Sequence, residues 1–300
     1  MHPSPFDYVR ASTLDHAVSV LRETGPDGKV LAGGCSLIPL LKLRLARPST
    51  IIDIGGLGEL RYIRESDVSL HIGALTREVD LERSALLKQQ YPILVDTSSV
   101  IADPIVRNMG TVGGNLAHGD PANDHAASMV ALGAEVVVKG RQDSRVVPVE
   151  EFFLGLFETQ LAHEEILTEI RIPRPPADDM GGRRGSAYVK IERQVGDLAT
   201  AGAGVSLSIV DGVIRGARIG LTNVAATVIR ARTAEAALVG LHPEEGALRS
   251  AAEAAVEGLD PWPDLRGSRE YKLEAAKVVT YRALRKAVER ASLSTGETSG

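Results

Sequence analysis

The sequence predicts an α+β protein, and three observations carry that reading. Residues 13–56 alternate helix, strand, helix and strand, the pattern of a small α/β unit. Residues 60–172 turn to hairpins with helices between them. After a proline-rich break at 173–182, three alternating strands precede three helical segments, which describes a three-stranded antiparallel sheet with helices against it. The expected organisation is a first domain over 1–175, split into subdomains of about 1–57 and 58–175, then a C-terminal α+β domain over 180–290. Residues 291–300 are polar and read as a frayed tail.

Each element has its own signal. Thr13 is a good N-cap, and Leu14, Ala17, Val18 and Leu21 share one face of a helix that ends at Gly25-Pro26. Lys29 to Ala32 reads as a strand turning at Gly33-Gly34. Ser36 can cap the next helix, through Leu37, Leu40, Leu41 and Leu45. Thr50 to Ile54 is a buried strand closed by Gly55-Gly56. Arg61 to Glu65 and Val68 to Ile72 form a hairpin around Ser66-Asp67, Thr76 begins a helix, and another spans Tyr91 to Val100. Between Ile101 and His125 the hydrophobic period fails, while glycine, proline and aspartate accumulate; regular structure on both flanks predicts an ordered loop that holds something. Asp124 caps a helix from His125 to Leu132. Ala134 to Lys139 and Arg145 to Pro148 pair as strands, Glu150 to Leu154 is a helical turn, and Ile166 to Ile172 is a strand. Pro173 to Gly182 is the linker. Ala187 to Arg193, Ala201 to Val210 and Val213 to Leu221 are strands, with Asp211-Gly212 as a tight hairpin turn. Thr233 to Val239, Glu244 to Glu257 and Arg269 to Arg290 are helices.

Composition excludes several classes. The chain's 300 residues exceed one small core, and 44% hydrophobic with 24% charged residues is ordinary for a globular protein. A net charge of −5 and pI near 5.9 argue against nucleic acid or an anionic membrane as partner. No run approaches the roughly eighteen apolar residues of a membrane span, and MHPSPFDYVRAS lacks the basic and apolar regions of a signal peptide. The expected setting is the cytoplasm. Cys35 is the sole cysteine, so the chain can hold no internal disulfide and no four-cysteine iron–sulfur or zinc site.

Two glycine turns are the candidates for binding. Leu31-Ala-Gly-Gly-Cys-Ser-Leu-Ile38 lies between strand and helix, where backbone N–H groups suit an anion such as a pyrophosphate. It is neither a P-loop nor GxGxxG, and it is equally readable as a plain turn. Gly110-Thr-Val-Gly-Gly-Asn115 lets a flat or charged group sit against the main chain, with Thr111 and Asn115 as hydrogen-bonding side chains. Asp124 can accept from a ribose or ribityl hydroxyl, or simply cap its helix. The histidines show no metal spacing, and His118 reads as a loop surface residue. Cys35 reads as a small buried filler rather than a redox thiol. No acid–base or nucleophile set emerges, so chemistry has to come from a bound cofactor.

At these two turns the sequence resembles a known family. AGGCS at 32–36 and TVGGN at 111–115 are similar to the flavin-binding medium subunit of molybdenum hydroxylases, the xanthine dehydrogenase family, and most of all to its carbon monoxide dehydrogenase branch. The likeness continues through IADPIVRNMG (101–110), GDPANDHAA (119–127), EEILTEIRIP (164–173), AYVKIERQVGDLATA (187–201) and IGLTNVA (219–225). It implies a two-subdomain FAD-binding domain of the vanillyl-alcohol-oxidase (PCMH) type, followed by the C-terminal domain typical of these flavoproteins. It also implies FAD as cofactor. Leu31, Ala32, Gly33, Gly34, Cys35, Ser36, Leu37 and Ile38 would hold the diphosphate; Gly110, Thr111, Gly113, Gly114 and Asn115, with Ala102 upstream, would lie near flavin and pyrophosphate. Asn123 and Asp124 match positions facing the cofactor, Leu167 a backbone contact on the adenine side, and Lys190 a lysine near the flavin. Cys35 stands where carbon monoxide dehydrogenases usually have histidine, and Leu198 where relatives often carry an aromatic over one flavin face.

The function this implies is that of an electron-transfer subunit. Substrate would be oxidised at a molybdenum cofactor on a large partner, and electrons would pass through [2Fe–2S] clusters of a small partner to FAD, then to an external acceptor. The assembly would be a dimer of heterotrimers. The alternatives are a free-standing FAD-dependent oxidoreductase with its own substrate, or a non-catalytic nucleotide-binding protein.

Overall fold

Three successive sheets, each with a hydrophobic core against it, run along the chain in the computed structural model, which describes residues 2–174 and 182–293. The first contains β1 (Asp7–Arg10), α1 (Leu14–Thr24), β2 (Gly28–Leu31), α2 (Leu37–Lys42) and β3 (Thr50–Asp53), with parallel strands in the order β1-β3-β2. Thr13 caps α1 as its type predicts, its Oγ1 accepting from the His16 N–H at 3.1 Å. Ala17, Val18 and Leu21 go into the core with Ile52 and Ile54. The predicted run of α2 to Leu45 fails, and Leu45 is 73% exposed. Ser36 does not cap it either. Its φ of −97° and ψ of −46° already lie in the helical region, whereas a capping residue needs extended backbone to turn its hydroxyl onto the first amides. β1 has no sequence signal, being a short, mostly exposed edge strand.

The second part comprises β4 (Ile63–Glu65), β5 (Ser69–Gly73), α3 (Glu78–Arg83), α4 (Ala85–Gln90), α5 (Pro92–Ser99), α6 (Pro104–Arg107), α7 (Val112–His118) and α8 (Asp124–Leu132). It continues with β6 (Glu135–Lys139), β7 (Ser144–Pro148), α9 (Val149–Phe152), the small ribbon β8 (Phe153–Gly155) with β9 (Glu158–Thr159), and β10 (Ile166–Pro173). The antiparallel order β4-β5-β10-β6-β7 puts β10 in the middle, where Ile166, Leu167, Ile170 and Ile172 are buried. The stretch predicted as one loop from Ile101 to His125 instead contains two short helices. Asp103 and Thr111 each cap one, accepting from the N–H of Val106 and of Gly114. Gly119, at φ 66°, ends α7 in the left-handed region. Caps at both ends offset the poor helix propensity of two adjacent glycines.

The third part holds β11 (Arg183–Glu192), β12 (Ala199–Val210), β13 (Val213–Thr222), β14 (Ile229–Arg230), α10 (Arg232–Leu238), α11 (Glu245–Ala254) and α12 (Arg269–Leu293). Asp211 and Gly212 have φ of 52° and 76°, the paired positive values of a hairpin turn matched to strand twist. The sheet has the three expected long strands plus the two-residue β14, too short to leave a period in the sequence. Small residues bring its neighbours close. A Cβ on Gly220 would lie 2.2 Å from the Ala127 carbonyl oxygen of α8, so this helix rests directly on the sheet backbone. Of the predicted linker, residues 175–181 lie outside the described residues, as do 294–300 of the predicted frayed tail; 291–293 continue α12. Among the described residues no helix is long and apolar enough to cross a membrane.

Candidate cofactor site

The two glycine turns, distant in sequence, pack main chain to main chain. A Cβ on Gly33 would stand 2.2 Å from the Met109 carbonyl oxygen, so only glycine admits this approach. Gly34 follows at φ 78°, reversing the chain into α2. The facing turn is anchored from behind: the Glu78 N–H donates to the Gly110 carbonyl at 3.1 Å, the Val112 N–H to Thr76 and the Gly113 N–H to Ala74, each at 3.0 Å. A Cβ on Gly113 would be 2.5 Å from that of Ala74.

Between the turns opens a cleft of about 1020 Å³, the size of a large ligand site. Ala32, Gly33, Gly34, Cys35, Ser36 and Leu37 line one side; Ala102, Gly110, Thr111, Gly113, Gly114 and Asn115 line the other, with Asn123, Asp124 and Leu167. Leu31 and Ile38 do not reach it. Their side chains pack beneath Gly34, where a Cβ would meet Ile38 Cδ1 at 2.7 Å and Leu31 Cδ1 at 3.2 Å.

Lys190 does not line it either. It stands behind Asp124, 2% exposed, its Nζ 3.2 Å from Asp124 Oδ2, 3.0 Å from Glu192 Oε2 and 2.8 Å from the Asp197 carbonyl oxygen. Asp124 Oδ1 also accepts a 2.5 Å bond from the Tyr188 hydroxyl. The expected capping role of Asp124 is therefore wrong: Asn123 takes the N-cap position, and Asp124 is the first helical residue with its carboxylate turned to β11. Burial pushes the Asp124 carboxyl above its usual range, against the pull of Lys190 and Tyr188. Burial likewise raises the Tyr188 hydroxyl well above the ordinary phenol range, and Asp124 adds to it.

Several wall residues carried no sequence signal. Phe157, Glu158 and Thr159 of the small ribbon and His118 reach the cleft, the His118 and Phe157 rings lying 5.1 Å apart. His118 is thus a wall residue on α7 rather than a surface loop residue, and burial lowers its pKa. A third wall comes from the C-terminal part: Gly196, Asp197, Leu198 and Arg266. A Cβ on Gly196 would lie 2.7 Å from the Ala102 carbonyl oxygen, so this turn closes against the segment just before α6. Glu78 lines the cleft too, with its carboxylate 2.6 Å from His125 Nε2 and accepting from Ser98 at 3.2 Å, all three residues buried. Cys35 is exposed on the wall rather than a buried filler; desolvation there, then Glu78 and Asp103, push its thiol up, away from a reactive thiolate.

The walls suit a flavin nucleotide. The glycines bare main chain where a phosphate or ring must approach closely. The Asn123 amide donates to the Asn115 carbonyl at 2.8 Å, while Asn115 Oδ1 is buried with no partner, an acceptor left for a ligand donor.

Comparison with known proteins agrees with this geometry. The FAD binding domain in molybdopterin dehydrogenase matches residues 4–175, and the CO dehydrogenase flavoprotein C-terminal domain matches 186–287. The carbon monoxide dehydrogenase medium chain of Afipia carboxidovorans is 43% identical over 291 residues, covering 97% of this chain and 98% of that one. Subunit alpha of the 6-hydroxypseudooxynicotine dehydrogenase complex of Paenarthrobacter nicotinovorans is 37% identical, covering 97% of both. A chain in the solved structure of Hydrogenophaga pseudoflava carbon monoxide dehydrogenase lacking the Mo-pyranopterin moiety superposes with a TM-score of 0.92 at 44% identity, over 97% of this chain and 99% of that one. The chain therefore belongs to the FAD-binding medium subunits of the molybdenum hydroxylase family, an oxidoreductase subunit whose cofactor is FAD.

Proposed function

We propose that this chain carries electrons from the [2Fe–2S] clusters of a small partner, through FAD in the cleft, to an external acceptor. Substrate would be oxidised at the molybdenum cofactor of a large partner, in a cytoplasmic dimer of heterotrimers. The observation that supports the reading is how the two buried acids of the cleft wall are committed. Asp124 is spent on Tyr188 and Lys190, and Glu78 on His125 and Ser98. Neither is left as a base beside a substrate. With one cysteine, the chain cannot ligate an iron–sulfur cluster, so the clusters of such a relay belong to another chain.

Bound FAD supplies the ability to take electrons singly and pass on two. The chain's residues then have positional roles. The main chain of Ala32 to Leu37 would cradle the diphosphate, and Gly110 to Asn115 would face it from the opposite side. Leu167 would lie on the adenine side and Leu198 against one face of the ring. We read residues 1–175 as the domain that holds the nucleotide and 180–290 as the domain that supplies its third wall. The experiment is to purify the chain with its partners, assay iron and molybdenum, and follow flavin bleaching. Bleaching by substrate in the complex but not in the isolated FAD-loaded chain is expected. Direct reduction of the isolated chain by a substrate would overturn the reading in favour of a free-standing flavoenzyme.

A further inference from the structure

Of the described residues that line the cleft, only Lys29 and Arg266 are permanently cationic. Lys29 is exposed on β2. Arg266 is different: it comes from the C-terminal part, is half-buried, and is held. Its Nη2 donates to Asp197 Oδ1 at 2.9 Å, and its own N–H donates to Asp264 Oδ1 at 2.7 Å within a turn closed by pairing of Asp264 with Gly267. Asp264 is tied in turn to Lys272 of α12 at 2.8 Å. Asp197 is fixed from its other side, its carbonyl accepting from Lys190. Arg266 Nε is buried with no hydrogen-bond partner, so the guanidinium keeps donor capacity that the protein does not use. The Arg266 guanidinium also holds the Asp197 carboxyl below its usual range, so that carboxylate is ionised at neutral pH.

We propose that Arg266, pinned by Asp197 beside Leu198, is the positioning cation that sets the electron affinity of the flavin. This rests on the reading that the ring of FAD lies against the C-terminal wall. Oxidised flavin is neutral. On taking two electrons and one proton it becomes a monoanion, with the charge on its pyrimidine edge. A cation already fixed in the wall that the ring faces would stabilise the reduced form over the oxidised one and would need no reorganisation when the electrons arrive. Asp197, whose other carboxylate oxygen lies 3.7 Å from Arg193 Nε, carries the opposite charge. The pair thus sets the potential by a balance of two opposite charges, and the two residues act with opposite signs. A mere tether between two loops would lose its function equally by the removal of either residue.

The test uses the holo-protein, titrated with dithionite against a reference dye, with affinity for oxidised FAD measured in parallel. Arg266→Gln is expected to weaken binding of reduced relative to oxidised FAD by about tenfold, which is about 30 mV lower for a two-electron couple. Asp197→Asn is expected to shift the potential upward, and Arg266→Lys to recover most of the loss. Affinity for oxidised FAD should change by less than about threefold in each. The proposal is overturned if both variants shift the potential the same way, if neither shifts it, or if Arg266→Gln no longer holds oxidised FAD. The placement of the ring is tested separately with Leu198→Trp, where an indole against the ring quenches flavin fluorescence; unquenched emission would sink that reading instead.

Discussion

The Tyr188 hydroxyl on β11 donates a 2.5 Å hydrogen bond to the buried carboxylate of Asp124 at the start of α8. Lys190, on the same face of the same strand, reaches the other carboxylate oxygen at 3.2 Å. One acid at the cleft wall is thus gripped by the C-terminal sheet. The same lysine holds the Asp197 carbonyl, so a single buried cation ties the start of α8 to the third wall.

Removing that cation should be costly in a pH-dependent way. Asp124 has a raised carboxyl pKa in the folded state, so the native protein binds more protons than the unfolded chain above about pH 3.9, the unfolded value. Its contribution to stability therefore falls as pH rises toward the folded value. In Lys190→Met the pull that limits this rise is gone. Denaturant titrations should show a small loss near pH 4 that grows to about 3–5 kcal/mol at pH 7, the cost of an uncompensated buried charge. A loss independent of pH would contradict the assignment.

Gly33 and Gly114 should respond differently to the same change. A methyl on Gly33 meets the Met109 carbonyl of the main chain at 2.2 Å, whereas one on Gly114 is crowded by the Thr111 hydroxyl at 2.8 Å, a side chain that can turn, and touches Ala32 Cβ at an ordinary 4.0 Å. Gly33→Ala should lose FAD on gel filtration while keeping its circular dichroism. Gly114→Ala should retain FAD with affinity reduced by no more than about tenfold, the cost of one weakened cap. Equal losses would mean that the turns do not meet as described.

At the base of α8, Gly220→Ala would push the Ala127 carbonyl off the C-terminal sheet. Overpacking of this kind costs about 1–3 kcal/mol. Limited proteolysis should then release a C-terminal fragment faster than in the unaltered protein. As a control, Gly246→Ala, where a Cβ meets nothing within 4 Å, should digest at the original rate.

The Glu78–His125 pair offers a coupling measurement. His125→Leu leaves the Glu78 carboxylate buried with Ser98 as its side-chain partner, at an expected cost of about 3–5 kcal/mol. The double change to Glu78→Leu and His125→Leu should recover part of that, because no charge remains unpaired. Additive single effects in the double-mutant cycle would show the pair is not coupled.

Much of the fold is legible in the chain because its signals are local. Thr13 caps its helix through a residue three positions away, and Asp211-Gly212 closes a hairpin through its own positive φ angles. The central strand β10 is readable because the buried Ile170 and Ile172 alternate with the polar Glu169 and Arg171, the period-2 pattern of a strand. The short edges, β1 and β14, left no period to read. The stretch after Ile101 reads as loop in the sequence because its helices depend on caps more than on propensity.

For the cofactor site, the sequence alone determined the two glycine turns and the family resemblance that points to FAD. Glycine at a close approach and an unusual run of small residues are properties of the chain itself. Tertiary structure decided who stands at the wall. Lys190 lies behind Asp124 rather than beside the cleft, Leu31 and Ile38 pack beneath their own turn, and Glu78 and Arg266 arrive from segments with no motif. A charge's role follows from its partners and its burial, and those are set by strands and loops that meet only when the three sheets are packed together.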